Sequence, residues 1–296
     1  SSAASDVYKR QVLNMLELAG IPLRSKDRPD LFNIVVGGGP CVCNPEPLAD
    51  FFDLFFLGDG EEVDIEVMEL YRQCKKEGKS KLEFLEKAAQ IEGVYVPAFY
   101  DVTYNEDGTV KEYVPTHGAP KTIKKRVIRD MDKAYYPKDF VVPLIDVVHN
   151  RISEEVLRGC IRGCRFCQAG FLYRPYREKS IGAIDQQCRD LCHSTGYDEI
   201  SLSSLSTSDY SHLNELIDTL HQWTEKEKVS LSLPSLRVDN FSPELMERIN
   251  SVRKSGLTFA PEAGSQRMRD VINKNVTEEE LMHTVNVAFT EGWTRV

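Results

Sequence analysis

The sequence has no apolar run approaching the roughly 18 residues that a membrane-spanning helix needs. It opens without the basic start and apolar core of a secretory signal, which leaves a cytoplasmic location as the expectation. An excess of positive charge is also missing: 37 Lys and Arg face 46 Asp and Glu, a formal net charge of −9. Such a surface does not cling as a whole to nucleic acid or anionic membrane, so any binding of anions has to be local. Cysteine is too thin for a disulfide scaffold, with eight in 296 residues. What is there is 41% hydrophobic and 28% charged, a globular composition with room for one large domain or two smaller ones.

The cysteines are clustered, and in a reducing compartment clustered thiols bind metal or do redox chemistry more often than they pair. Cys160, Cys164 and Cys167 stand in "RGCIRGCRFCQAGF" as a C-x3-C-x2-C array, with no fourth ligand close by. Cys188 and Cys192 are four residues apart on an apolar helix face, and Cys74 lies on another, so core packing is the expectation for all three. Cys41 and Cys43 follow a glycine turn, and Cys-x-Cys alone is a weak signal.

The opening "SSAASDVYKRQ" has no apolar period and resembles translated adaptor sequence; residues 1–11 are read as a non-native leader. From Val12 the pattern is α/β. "NIVVGGGP" and "DLFFLGDGEE" read as buried strands, each with helical periodicity beside it, so residues 12–92 form the rear half of a parallel-sheet domain. Residues 93–149 read as a linker with a β-hairpin turning at Asp107-Gly108. From 150 to 296 the βα rhythm persists, with strands expected at 154–158, 199–204, 229–233 and 257–260 and a start at 294. Ser242-Pro243 opens one helix, and Thr277 with Glu280 forms a capping box for the last. At roughly 31 residues per unit this stretch supplies about five β/α units, with the fifth barely begun.

Three thiolates suit an iron–sulfur cluster better than structural zinc, which closes with four ligands. On a four-iron cluster they leave one iron open. Gly159 and Gly163 let backbone N–H groups point at sulfur, and Arg162 and Arg165 add positive charge. The trio follows the first barrel strand, at the C-terminal face where such barrels place their chemistry.

Cys-x3-Cys-x2-Cys with Phe166 before the last cysteine, on the first loop of a β/α barrel, resembles the radical S-adenosylmethionine (radical SAM) superfamily. "EEVLRGCIRGCRFCQAG" and "GGGPCVCNPEPLADFFDLFFLGDGEE" further resemble its subgroup with an N-terminal cobalamin-binding-type domain. The resemblance implies a partial Rossmann-like domain followed by an incomplete radical SAM β/α barrel. It implies a 4Fe-4S cluster on Cys160, Cys164 and Cys167, with S-adenosylmethionine chelated by the open iron. Reductive cleavage there gives methionine and a deoxyadenosyl radical, with electrons from a reductant such as flavodoxin or ferredoxin.

By the same resemblance Phe166, Ser203, Ser204, Ser235, Arg237, Glu262 and Gly264 lie toward the cofactor. Gly37, Gly38 and Gly39 either admit a cobalamin nucleotide tail or make a tight strand-to-loop turn. The Asp-x-His-x-x-Gly cobalamin motif is not in the chain. The alternatives are an iron–sulfur or zinc module for binding or electron transfer, and a methylthiotransferase-like enzyme modifying RNA or protein. Seven cationic side chains from Arg151 to Lys179 against three acidic ones could receive RNA, although compensation of cluster charge is favoured. A family barrel normally has six strands, so the 296 residues alone are expected to hold a cluster without efficient cofactor turnover.

Overall fold

The carboxylate of Asp53 accepts a hydrogen bond from the N–H of Val35 at 2.6 Å, and the two apolar runs these residues border pair as parallel strands in the computed structural model. Residues 11–145, 147–234, 236–240 and 256–296 are described. The chain divides into two units, Ser1–Ile128 and Arg129–Val296.

In the first unit, helix α1 (11–18) precedes a three-stranded sheet. Strand β1 (Val36–Gly37) runs parallel to β2 (Leu54–Phe56), and β3 (Val94–Tyr95) pairs antiparallel with the other edge of β2. Helix α2 (Gly60–Lys76) buries Val63, Val67 and Cys74, three positions on one face of a 3.6-residue period. Helix α3 (Lys81–Ala88) was not foreseen from its periodicity, yet Ser80 and Glu83 form a full capping box at its start. Leu54, Phe84, Leu85 and Val94 close the core between sheet and helices. The Asp53 carboxylate, 0% exposed, is neutralised by Arg28 at 3.1 Å and Lys81 at 2.6 Å.

The stretch 93–149, expected as a linker, is corrected by two pairings. β3 completes the first sheet, and Arg126 bridges back to Gly58, where an added Cβ would lie 2.1 Å from the Arg126 carbonyl oxygen. Gly58 has φ +107 as well, so no other residue fits that approach. Between them the hairpin forms as expected: β4 (Tyr100–Tyr104) and β5 (Val110–Pro115) are antiparallel. Its turn is fastened by Asp107, whose carboxylate accepts from the Thr109 N–H at 2.9 Å.

The second unit is built on a parallel sheet in the order β10-β9-β6, with β6 (Ile152–Glu155), β9 (Glu199–Ser203) and β10 (Ser230–Ser232). Ile152, Ile200 and Leu231 stand in register across it and bury against α5 (Ile181–Thr195) and α6 (Leu213–Glu227). Ile184, Cys188, Leu191 and Cys192 of α5 face that core, as do Leu216, Ile217, Leu220 and Trp223 of α6. The expected strand 154–158 is split at Val156. Its N–H donates to Ser203, and its carbonyl accepts from Lys179. The chain thereby changes partners, and β7 (Leu157–Arg158) pairs antiparallel with β8 (Arg177–Glu178). Short helix α4 (Ala169–Leu172) lies between those two strands.

Helices α7 (Gln266–Val271) and α8 (Glu278–Thr290) follow, and the Thr277–Glu280 capping box forms as expected. The strands expected at 257–260 and from 294 are not strands. Leu257 and Phe259 are apolar because they pack on the core, without pairing in the sheet. The helix expected from Ser242-Pro243 lies outside the described residues. Among the described residues no helix is long and apolar enough to cross a membrane.

Candidate metal and cofactor site

The cysteine trio occupies the loop between β7 and β8, so a two-stranded stem carries it directly beyond the first strand of the parallel sheet. Gly159 opens the loop at φ +90. A Cβ there would stand 2.8 Å from the Pro175 carbonyl oxygen and 2.9 Å from that of Tyr173, so only glycine lets the loop leave its stem this tightly. Cys160, Cys164 and Cys167 are free and half-buried. The Arg162 N–H donates to Cys160 Sγ at 3.4 Å, and the Gly170 N–H donates to Cys167 Sγ at 3.3 Å. Hydrogen bonds of this kind favour the charged form of sulfur and tune iron–sulfur ligands.

Burial pushes the Cys160 thiol up, the Arg162 N–H pulls it down, and the charges of Asp209 and the other two thiols push it up again. Among the described residues no three His, Cys, Asp or Glu side chains gather to hold a single metal ion. Three soft donors on one loop, two of them already receiving backbone N–H groups, have the chemistry of a cluster site.

The loop is fastened by residues from three later segments. Asn273 Nδ2 donates to the Gly163 carbonyl at 2.9 Å, and the Arg165 N–H donates to the Ile272 carbonyl at 2.9 Å. Asn273 takes a left-handed φ of +56, which asparagine tolerates better than most side chains. Arg162 pairs with Asp209, in the turn after β9, and with Asp239, in the turn after β10. Asp209, Asp239, Asn273 and Lys274 were missed in the sequence. The two aspartates did carry a signal, because carboxylates just past parallel strand ends sit where β/α proteins place functional groups.

The other expected residues fall in different settings. Phe166 is 53% exposed beside the third cysteine. Ser203 ends β9, and its carbonyl accepts from Val156. The Ser204 hydroxyl lies 2.9 Å from that of Thr207 and accepts from the Ser206 N–H, which is a turn-forming role. Arg237, expected to contact the cofactor, instead places its guanidinium on Asp239 and on the Lys274 carbonyl. Glu262 adopts φ +67, uncommon for a residue with a side chain, and pairs with Lys274 at 3.2 Å. The Gly264 carbonyl accepts from Arg269. Ser235 lies outside the described residues.

In the first unit, a Cβ at Gly37 would meet the Phe55 ring at 2.6 Å, so this glycine answers a packing demand. Gly38 and Gly39 face open space. Cys74, Cys188 and Cys192 are core residues, as expected.

Besides Arg162, three of the seven cationic side chains of residues 151–179 pair with acids. Arg151 pairs with Glu199 at 2.5 Å, Arg158 with Glu155 at 2.8 Å and Lys179 with Glu154 at 2.6 Å.

Known proteins resemble the chain in sequence and in fold. Residues 5–97 match radical SAM proteins, N-terminal, a match that begins inside the stretch read as a leader. Residues 155–296 match the radical SAM superfamily. The uncharacterized protein MJ0966 of Methanocaldococcus jannaschii is 29% identical over 297 residues, covering 98% of this chain and 55% of its own length. In fold, the chain is similar to the radical S-adenosylmethionine methyltransferase TsrM from Kitasatospora setae, solved with cobalamin and a [4Fe-4S] cluster. The TM-score is 0.59 at 14% identity, over 88% of this chain and 49% of that one. The cobalamin-dependent radical enzyme OxsB, solved with aqua-cobalamin and S-adenosylmethionine, gives 0.55 at 15% identity, over 97% and 37%. The chain thus spans about half the length of the first of these relatives. With an N-terminal match ahead of a core match that contains the cysteine loop, the chain belongs to the radical SAM superfamily.

Proposed function

We propose that this chain carries the cluster-binding and cofactor-binding part of a radical SAM enzyme, with Cys160, Cys164 and Cys167 as the three ligands of a 4Fe-4S cluster. The observation that carries this reading is the loop itself. Its three half-buried thiols stand on one strand stem, and backbone N–H groups already point at two of the sulfurs. When bound, the cluster and S-adenosylmethionine supply reductive cleavage of a sulfonium C–S bond, yielding methionine and a deoxyadenosyl radical.

The chain's own residues bind and orient. The N–H groups of Arg162 and Gly170 are placed to donate to the sulfurs of Cys160 and Cys167. Phe166, Ser203, Ser204, Ser235, Glu262 and Gly264 are assigned to the cofactor side by the family resemblance. Arg237 serves that side indirectly, by holding Asp239. Electrons come from a protein reductant of the flavodoxin or ferredoxin class, in keeping with eight free cysteines and a cytoplasmic setting. Arg151, Arg158, Arg162 and Lys179 are engaged in ion pairs, which supports charge compensation over an RNA-binding patch, and RNA is not part of this proposal. No residue is assigned to cobalamin: Gly37 answers the packing of the Phe55 ring, and Gly38 and Gly39 face open space.

Anaerobic reconstitution of the intact protein with iron and sulfide tests the reading. It should give about four irons per chain with charge-transfer absorption. Bound zinc without that absorption would overturn it.

A further inference from the structure

We propose that Asp209 and Asp239 are positioning residues for the cysteine loop and act on it through Arg162. The proposal rests on the reading of Cys160, Cys164 and Cys167 as cluster ligands. Arg162 sits between the first two of these cysteines, and its guanidinium reaches away from the loop in two directions. Nε donates to Asp209 Oδ2 at 2.8 Å, and Nη2 donates to the other oxygen of the same carboxylate. Nη1 reaches Asp239 Oδ2 at 3.2 Å.

Both acids are held in turn. Ser206 Oγ donates to Asp209 at 2.7 Å. Arg237 donates to Asp239 through Nε at 2.8 Å and Nη2 at 3.1 Å, and to the Lys274 carbonyl at 3.0 Å. The alternating series Asp209, Arg162, Asp239, Arg237 therefore ties the cysteine loop to the turns after β9 and β10. The Asp209 side chain is 2% exposed, so its two-pronged pair escapes most of the screening that weakens surface ion pairs.

Two consequences follow for a cluster. The first is positional. The residue fixed by this fork is the one whose backbone N–H donates to Cys160 Sγ, so releasing the guanidinium releases that N–H as well. The second is electrostatic. Two carboxylates and two guanidinium groups balance, so a cluster beside them meets little net charge from the series. Neutralising one carboxylate leaves net positive charge next to the cluster, which favours its more negative, reduced form. A purely structural latch would only release the N–H from Cys160 Sγ, and losing a hydrogen bond to sulfur moves the potential the other way, to more negative values.

The test uses the intact protein, reconstituted anaerobically with iron and sulfide, as wild type and as Asp209→Asn, Asp239→Asn and Arg162→Gln/Asp209→Asn. Two quantities are read: the rate of iron release to a chelator, and the midpoint potential by redox titration. Each single aspartate variant should release iron about tenfold faster, the effect of losing one charge-assisted hydrogen bond. Each should also shift to a more positive potential. The double variant should keep the fast release while its potential returns toward wild type, because it is again charge-balanced. Asp239→Asn carries the test where Asp209→Asn fails to fold, since Asp239 is the less buried of the two. Wild-type release rate and potential in the aspartate variants would overturn the proposal. Fast release with an unshifted or more negative potential would overturn its electrostatic half. A wild-type protein that takes up no cluster would overturn the cluster reading itself, separately from any variant.

Discussion

The side-chain amide of Asn273 donates to the backbone carbonyl of Gly163 at 2.9 Å, joining the segment after α7 to the middle of the cysteine loop across 110 residues of sequence. Asn273→Gly keeps the left-handed backbone available and removes only the amide. The variant should lose about 1 kcal/mol of loop stabilisation, seen as a several-fold faster release of iron to a chelator. Wild-type release would show that the latch carries no load.

Gly159→Ala should be severe. The new methyl would meet two carbonyl oxygens at under 3 Å, at a φ of +90. Strain of this kind costs on the order of 1–3 kcal/mol or more, and here it acts on the loop stem that carries all three ligands. Loss of iron uptake at little cost to far-UV circular dichroism is expected. Gly182→Ala, at a helical position with open space around it, serves as the control and should be neutral or mildly stabilising.

Much of this fold was legible because its signals are local. The cysteine spacing, the Asp107-Gly108 turn, the Thr277–Glu280 box and the apolar faces of α5 and α6 each lie within a few residues. Val156 was not legible. Whether a strand continues or changes partner depends on Ser203 and Lys179, both remote in sequence. The Arg162–Asp209–Asp239 series was hidden for the same reason, since its members are 47 and 77 residues apart. Arg237 was assigned by its place after the third strand and by the fit of a guanidinium to a carboxylate, and a carboxylate two positions away, Asp239, takes it.

Asp53→Asn should destabilise the first unit. Arg28 and Lys81 would lose the one carboxylate they share in a buried site. Breaking such a pair costs about 3–5 kcal/mol, because the charges left behind stay uncompensated. Chemical denaturation followed by circular dichroism reads this. A shift of under 1 kcal/mol would contradict it.

The thiols of α5 should resist modification. Burial pushes Cys192 up to about 12 and Cys188 well above the usual 9.0, each with some help from nearby acids. Native protein treated with iodoacetamide at mildly alkaline pH should show both unmodified by mass spectrometry, while exposed Cys43 reacts. A raised thiol pKa stabilises the fold fully below about 9, where folded and unfolded forms both keep the proton. That stability is lost as the pH climbs from about 9 toward 12, because the unfolded chain gives up its proton first. Cys192→Ala should flatten this alkaline fall.

The most direct measurement is cofactor cleavage. Cluster-loaded protein spanning the full length of its relatives, reduced with dithionite and given S-adenosylmethionine, should release 5′-deoxyadenosine and methionine. The same protein with Cys160, Cys164 and Cys167 changed to alanine should release neither. Four irons per chain with no deoxyadenosine, or equal release by the alanine variant, would contradict the assignment and leave a binding or electron-transfer module in its place.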